Sequence, residues 1–115
     1  MTKDRPSNEV RFLLDEGHKA DEGKARLDLV YWPLVFELAK VLEHGAKKYG
    51  DTNYRLVHNA RRRYFAAGMR HFLAWWNGEK IDPDTGLTHL SHLLANIQIL
   101  YEADQADDRS TDTNP

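Results

Sequence analysis

Apolar residues recur every three or four positions in three separate stretches of this chain, and nowhere do they alternate with the two-residue period of a strand. That pattern constrains the chain to an all-α fold. In the first stretch, 33–49, the stripe is Leu34, Leu38, Val41 and Leu42, with Pro33 suited to a first helical turn and Gly50-Asp51 as the stop. In the second, 59–76, Phe65, Met69, Phe72 and Trp76 share one face, and Asn77-Gly78 is a good C-terminal signal. Asp82-Pro83-Asp84-Thr85-Gly86 then reads as a turn, with Asp84 or Thr85 as the N-cap of a third helix over 87–103. The core stripe of that helix is Leu90, Leu94, Ile97 and Tyr101. Ile99 falls on the opposite side, and a helix apolar on two sides is usually buried on both, a modest sign of a dimer interface.

The expected architecture is a compact helical bundle of three main helices plus an N-terminal arm, residues 1–23. The chain has 115 residues, enough for one domain with a limited core, so oligomerisation would help it. The domain is expected over 1–103. Residues 104–115, acidic and then rich in Ser, Thr, Asp and Asn, read as a disordered tail.

Composition removes several function classes. With no cysteine there is no disulfide, thiolate metal site or cysteine nucleophile, which fits a reducing cytoplasm. No apolar run approaches the roughly 20 residues of a membrane span, and Met1–Pro6 has no apolar stretch behind it to make a signal peptide. The net charge of -2 argues against a DNA coat, although local cations still allow a bound triphosphate. There is no Walker loop, no His-Asp dipeptide and no G-x-S-x-G.

The histidines carry the chemical interest. His89, His92 and Asn96 form one helical stripe within about 60° of arc, beside the apolar face. Two imidazoles one turn apart can hold a divalent metal, with a carboxylate completing the site. Hydrogen-bonded, half-buried polar residues are an equally good reading of the pair. Tyr64, His71 and Trp75 form a similar stripe on the second helix, where Trp75 either stacks on a base or fills the core edge. On the first helix Glu37 borders the apolar stripe, His44 lies on the same flank, and Glu43 faces away, so Glu37 is the better ligand candidate. If these flanks meet, Glu37, His71, His89 and His92 converge. Cations for phosphate are available at Lys24, Arg26, Lys47, Lys48 and Arg61–Arg63. Lys47 and Lys48 also suit the dipole of a last turn, and the arginines also read as a solvated face.

Several segments are familiar as a set: Glu22-Gly23-Lys24-Ala25-Arg26-Leu27-Asp28-Leu29, then His44-Gly45-Ala46-Lys47-Lys48-Tyr49-Gly50-Asp51-Thr52-Asn53, then Arg70-His71 through Trp75, Gly78-Glu79, and Asp82 to His92 reaching Asn96. In this order and spacing, over roughly residues 17–102, the chain resembles the phage dATP/dGTP diphosphohydrolase family, grouped with the MazG-like all-α nucleoside triphosphate pyrophosphohydrolases. The resemblance implies hydrolysis of dGTP and dATP to the monophosphate and pyrophosphate in an infected bacterial cytoplasm. It also implies a divalent metal (Mg, Mn or Co) and a dimer or higher homo-oligomer. The chain departs from MazG proteins in lacking E-E-x-x-E and E-x-x-D. Glu37 is followed three residues later by Lys40, His89 and His92 stand as the second pair, and Tyr54 follows Asn53 where tryptophan is usual.

On that footing the expected metal ligands are Glu37, His89, His92 and Glu79. The expected catalytic residues are Glu37, His71, Asp82 and Asn96, with Glu79 and Asp82 either ligands or groups that orient the histidines. Lys24, Arg26, Lys47, Lys48 and Arg70 are assigned to the triphosphate, and Tyr49, Asn53 and Trp75 to the rest of a deoxynucleoside triphosphate. Two other classes remain open: a nucleotide-binding module without turnover, and a phage interaction protein that uses the Ile99 face.

Overall fold

A computed structural model of the protein describes residues 20–113, with side-chain surroundings through residue 106. The chain divides into two units, residues 1–30 and 31–115. In the described part of the first unit, Lys24 N–H donates to the Asp21 carbonyl and a 3₁₀ turn spans Leu27–Leu29. Arg26 forks onto the Asp28 carboxylate at 2.8 and 2.6 Å, at an exposed position.

The second unit holds three helices: α1 over Trp32–Tyr49, α2 over Ala60–Trp76 and α3 over His89–Thr113. Among the described residues there is no strand, only an isolated bridge between Ile81 and Thr88. The expected α1 and α2 are therefore present within a residue of their expected starts. Pro33 sits in the first turn of α1, where a missing N–H is no loss. Gly50, at φ 99, ends that helix by donating to the Ala46 carbonyl at 2.7 Å. The third helix starts later than expected, because Thr88 rather than Asp84 or Thr85 caps it. Thr88 Oγ1 accepts the Ser91 N–H at 3.1 Å. Its helical span continues past residue 103 to Thr113.

α3 packs against both other helices, most extensively against α2. The face it buries differs from the expected one. Buried on α3 are His89, Ser91, His92, Ala95, Asn96 and Ile99, whereas Leu90, Ile97 and Tyr101 are exposed. On α2 the buried residue is Gly68, and Phe65, Phe72 and Trp76 are exposed. The physical reason is close helix approach combined with hydrogen bonding. A Cβ added at Gly68 would lie 3.2 Å from Asn96 Cβ and 3.4 Å from Leu93 Cδ1. Glycine lets α2 approach α3 here without a Cβ tighter than ordinary contact, and two members of the polar stripe find partners on other helices, Ser91 on Glu37 and His89 on His71. Ile99, expected on an outer interface, belongs to the interior.

Candidate functional site

The turn between α2 and α3 is pinned at both ends. Asp82 N–H donates to the Leu87 carbonyl at 2.8 Å, and His89 N–H donates to the Lys80 carbonyl at 3.0 Å. Asp82 Oδ1 accepts the Asp84 N–H at 2.9 Å, the local bond by which Asp initiates a turn. The other carboxylate oxygen, Oδ2, is then presented to two histidines, 3.6 Å from His92 Nε2 and 4.0 Å from His71 Nδ1. The His71 and His92 rings stack with centroids 4.4 Å apart and planes 8° apart. His71 comes from α2 and His92 from α3, so the close approach at Gly68 sets their separation.

Of these three side chains His71 is half-buried and Asp82 and His92 are buried, and one ligand atom from each lies within 4.8 Å of the others. Burial is the main force that pushes both imidazoles below their ordinary value, against the pull of Asp82 in the other direction. Neutral imidazoles keep a lone pair, which is the form a metal needs. Two nitrogens and a carboxylate oxygen fit a divalent transition ion such as Mn or Co.

His89 and Glu79 stand behind this group. His89 Nε2 lies 2.7 Å from Glu79 Oε1, and its Nδ1 lies 2.8 Å from His71 Nδ1. A carboxylate only accepts, so His89 donates from Nε2 to Glu79, and one proton is shared between the Nδ1 atoms of His89 and His71. On the other side, the Thr85 hydroxyl contacts His92 Nε2 at 2.7 Å and accepts the Leu87 N–H at 3.2 Å.

Glu37 reaches α3 from α1 but engages its N-terminus. Its Oε1 accepts from the Thr88 hydroxyl at 2.5 Å and from the Ser91 hydroxyl. These bonds, Ser91 first, hold its carboxyl below the usual range.

Next to the histidines lies a cleft of about 240 Å³ between α1, α2 and α3. His92 and Asn96 form one wall, His44, Gly45 and Tyr49 another, and Asn53, Tyr54 and Tyr64 close it. Burial pushes the Tyr54 and Tyr64 phenols up, so both stay protonated near neutral pH. In a larger cavity beside them, Tyr54 and Arg55 are both bonded to Glu102, and among the described residues it holds no such ligand cluster.

The expected site residues thus separate into sets. His71, Asp82 and His92 come together, and His89 with Glu79 lies directly behind them. Asn96, Tyr49 and Asn53 line the adjoining cleft. Glu37 is bonded to the Thr88 and Ser91 hydroxyls and is not among the three clustered ligands. Trp75 stacks on Phe72 at 5.7 Å and does not line the cleft. Lys47, Lys48 and Arg70 are exposed, and Lys24 and Arg26 belong to the first unit. Sequence reasoning missed Thr85, Thr88, Ser91 and Gly45. The signal for Thr88 was present: a threonine directly before His89, with a residue three positions on to receive its cap.

Comparison with known proteins points the same way as the motifs. A family model described as "dATP/dGTP diphosphohydrolase, N-terminal" matches residues 15–113. A relative from Salmonella phage PMBT28, named dATP/dGTP diphosphohydrolase, is 33% identical over 85 residues, covering 74% of this chain. The aligned region is 29% of that relative, so the chain spans under a third of its length. No solved structure matches the chain. The matched region contains the histidine group, the turn that holds Asp82 and every residue of the cleft: the chain belongs to the dATP/dGTP diphosphohydrolase N-terminal family.

Proposed function

We propose that this protein hydrolyses purine deoxynucleoside triphosphates, dGTP and dATP, to the monophosphate and pyrophosphate. One observation carries the reading: His92 belongs both to the His71–Asp82–His92 group and to the wall of a nucleoside-sized cleft. A cation site and an organic pocket that share a side chain suit a substrate with a phosphate end and an aromatic end.

In this reading water adds to the α-phosphorus, the bond to the bridging oxygen of the β-phosphate breaks, and pyrophosphate leaves. A divalent ion held by His71, Asp82 and His92 would supply Lewis-acid polarisation and neutralise developing charge. Glu79 and His89 fix the orientation of His71. Tyr49, Tyr54 and Tyr64 offer ring faces to the base. Lys47 and Lys48, at the end of α1 beside the cleft-lining Tyr49, meet the triphosphate together with Arg70. Glu37 acts by holding the start of α3, which carries His89 and His92.

The reading includes a homo-oligomer in the cytoplasm of an infected cell. Phe65, Phe72, Trp76, Leu90, Ile97 and Tyr101 are all exposed in the single chain, an apolar surface of the kind a second copy covers. A monomer by light scattering would refute this part.

The test is a chromatographic product assay. Purified protein is incubated with each common ribo- and deoxynucleoside triphosphate, with Mg²⁺, Mn²⁺ or Co²⁺, and with EDTA. Monophosphate plus pyrophosphate from dGTP or dATP, abolished by EDTA, is the expected result. No turnover with any metal overturns the reading.

A further inference from the structure

Asn96 is left with an unmet hydrogen-bonding need. It is more than nine-tenths buried, at 8% exposure, yet it lines the cleft. Its side-chain NH₂ donates to the His92 carbonyl one turn back at 2.8 Å. Because that partner is a carbonyl, the nitrogen must face it, and the amide oxygen is the end left over. That oxygen has no hydrogen-bond partner among the described residues. Buried polar atoms are normally paired, so an orphan acceptor on a cleft wall calls for a donor from a ligand. The position is also rigid, because Gly68 of α2 lies close against Asn96 Cβ.

The donor can be named by distance along the helix. Asn96 is one turn from His92, about 6 Å along the axis. In a nucleotide whose α-phosphate lies at the histidine group, the sugar 3′-hydroxyl is only a few bonds away, whereas the base edge lies beyond the whole sugar. The tyrosines Tyr49, Tyr54 and Tyr64 line the rest of the same cleft. On the opposite wall Gly45 lies within the 18-residue helix α1, and a Cβ there would meet nothing within 4 Å, so this side of the cleft is open.

From the orphan oxygen and its distance from His92, we infer that Asn96 is a substrate-positioning residue that accepts a hydrogen bond from the 3′-hydroxyl of the bound deoxynucleotide. The inference rests on the nucleotide reading of the cleft. It assigns the sugar end of the substrate to α3 and leaves the base to the tyrosines.

Binding of the non-hydrolysable α,β-methylene analogues of dGTP and of 2′,3′-dideoxyguanosine triphosphate is measured by calorimetry with Mn²⁺ present, so that the phosphate end is held and no turnover intervenes. The probes are titrated into the full chain and into Asn96→Ala, with helicity checked by circular dichroism. The full chain is expected to prefer the dGTP analogue roughly tenfold, the value of one well-made hydrogen bond with a buried partner left unpaired in its absence. In Asn96→Ala that preference is expected to collapse towards one. Equal binding of the two nucleotides by the full chain overturns the inference while leaving the nucleotide reading intact, and so does a variant that weakens both without changing their ratio. The nucleotide comparison in the full chain needs no variant, so it decides even if Asn96→Ala fails to fold. Absence of binding by either nucleotide overturns both readings.

Discussion

The Thr88 hydroxyl donates to Glu37 Oε1 at 2.5 Å while its oxygen accepts the N–H of Ser91, so one side chain both caps α3 and ties it to α1. Ser91 also donates to Glu37 and has no exposed surface. In a capping box the third helical residue is a Glu or Gln that completes the cap. Here Ser91 occupies that place and the carboxylate arrives from another helix. The start of α3 is therefore registered by a tertiary contact, and His89 and His92 are registered with it.

Replacing Glu37 is expected to cost stability first. Glu37→Ala removes the shared acceptor of the Thr88 and Ser91 hydroxyls, whose contact with each other then satisfies only one of the two donors, a loss of about 1–3 kcal/mol. Urea unfolding in EDTA measures it. If stability in EDTA is unchanged and only metal affinity falls, Glu37 is a ligand and the bond to α3 is incidental.

Acid should destabilise the metal-free protein in two stages. His71 and His92 are held below their ordinary value of 6.5, so folding favours their neutral forms. Their contribution is full above pH 6.5 and is lost as pH falls through the lower folded values, because unfolding then takes up protons. Glu37 is held below its ordinary 4.5, so its contribution is present above pH 4.5 and is lost only below that. Urea midpoints between pH 7.5 and 3.5, in EDTA, should fall first from about pH 6.5 downward. A flat profile between 7 and 5 would contradict the burial of the two rings.

The histidine group and its support should separate by magnitude. His92→Ala and Asp82→Ala remove a ligand and are expected to abolish Co²⁺ binding, read by visible absorption. Glu79→Gln keeps all three ligands but loses the carboxylate behind His89, and a loss of roughly 10- to 100-fold in affinity is expected. Equal effects at Glu79 and His92 would place Glu79 on the metal itself.

The two helical glycines should respond in opposite directions. Gly45→Ala meets open space and removes a weak helix position, so it should stabilise α1 by up to about 1 kcal/mol. The same methyl enters the cleft, so KM for dGTP should rise. Gly68→Ala drives a Cβ to 3.2 Å from Asn96 and should destabilise by about 1–3 kcal/mol through overpacking. Thermal melts of the two variants, with KM measured for Gly45→Ala, check both. A Gly45→Ala protein that is more stable with unchanged KM would show that the wall at Gly45 touches no substrate.

What the sequence determined by itself was local. Helical periodicity, Pro33 and the Gly50 and Asn77-Gly78 stops located α1 and α2, because those signals depend on neighbours a few residues away. The motif segments were equally legible, and they carried the family. Which face each helix buries was decided only by tertiary structure. By hydrophobicity alone, Leu90, Ile97 and Tyr101 outrank Ser91, His92 and Asn96, yet the polar set is the one inside. Periodicity ranks faces by oil-like character, whereas a buried polar stripe becomes favourable only when partners from other helices arrive at bonding distance. Glu37 for Ser91 and His71 for His89 are such partners, and the bare backbone of Gly68 lets α2 approach Asn96. None of them is close in sequence, so the pairings that build the site exist only once α1, α2 and α3 have packed.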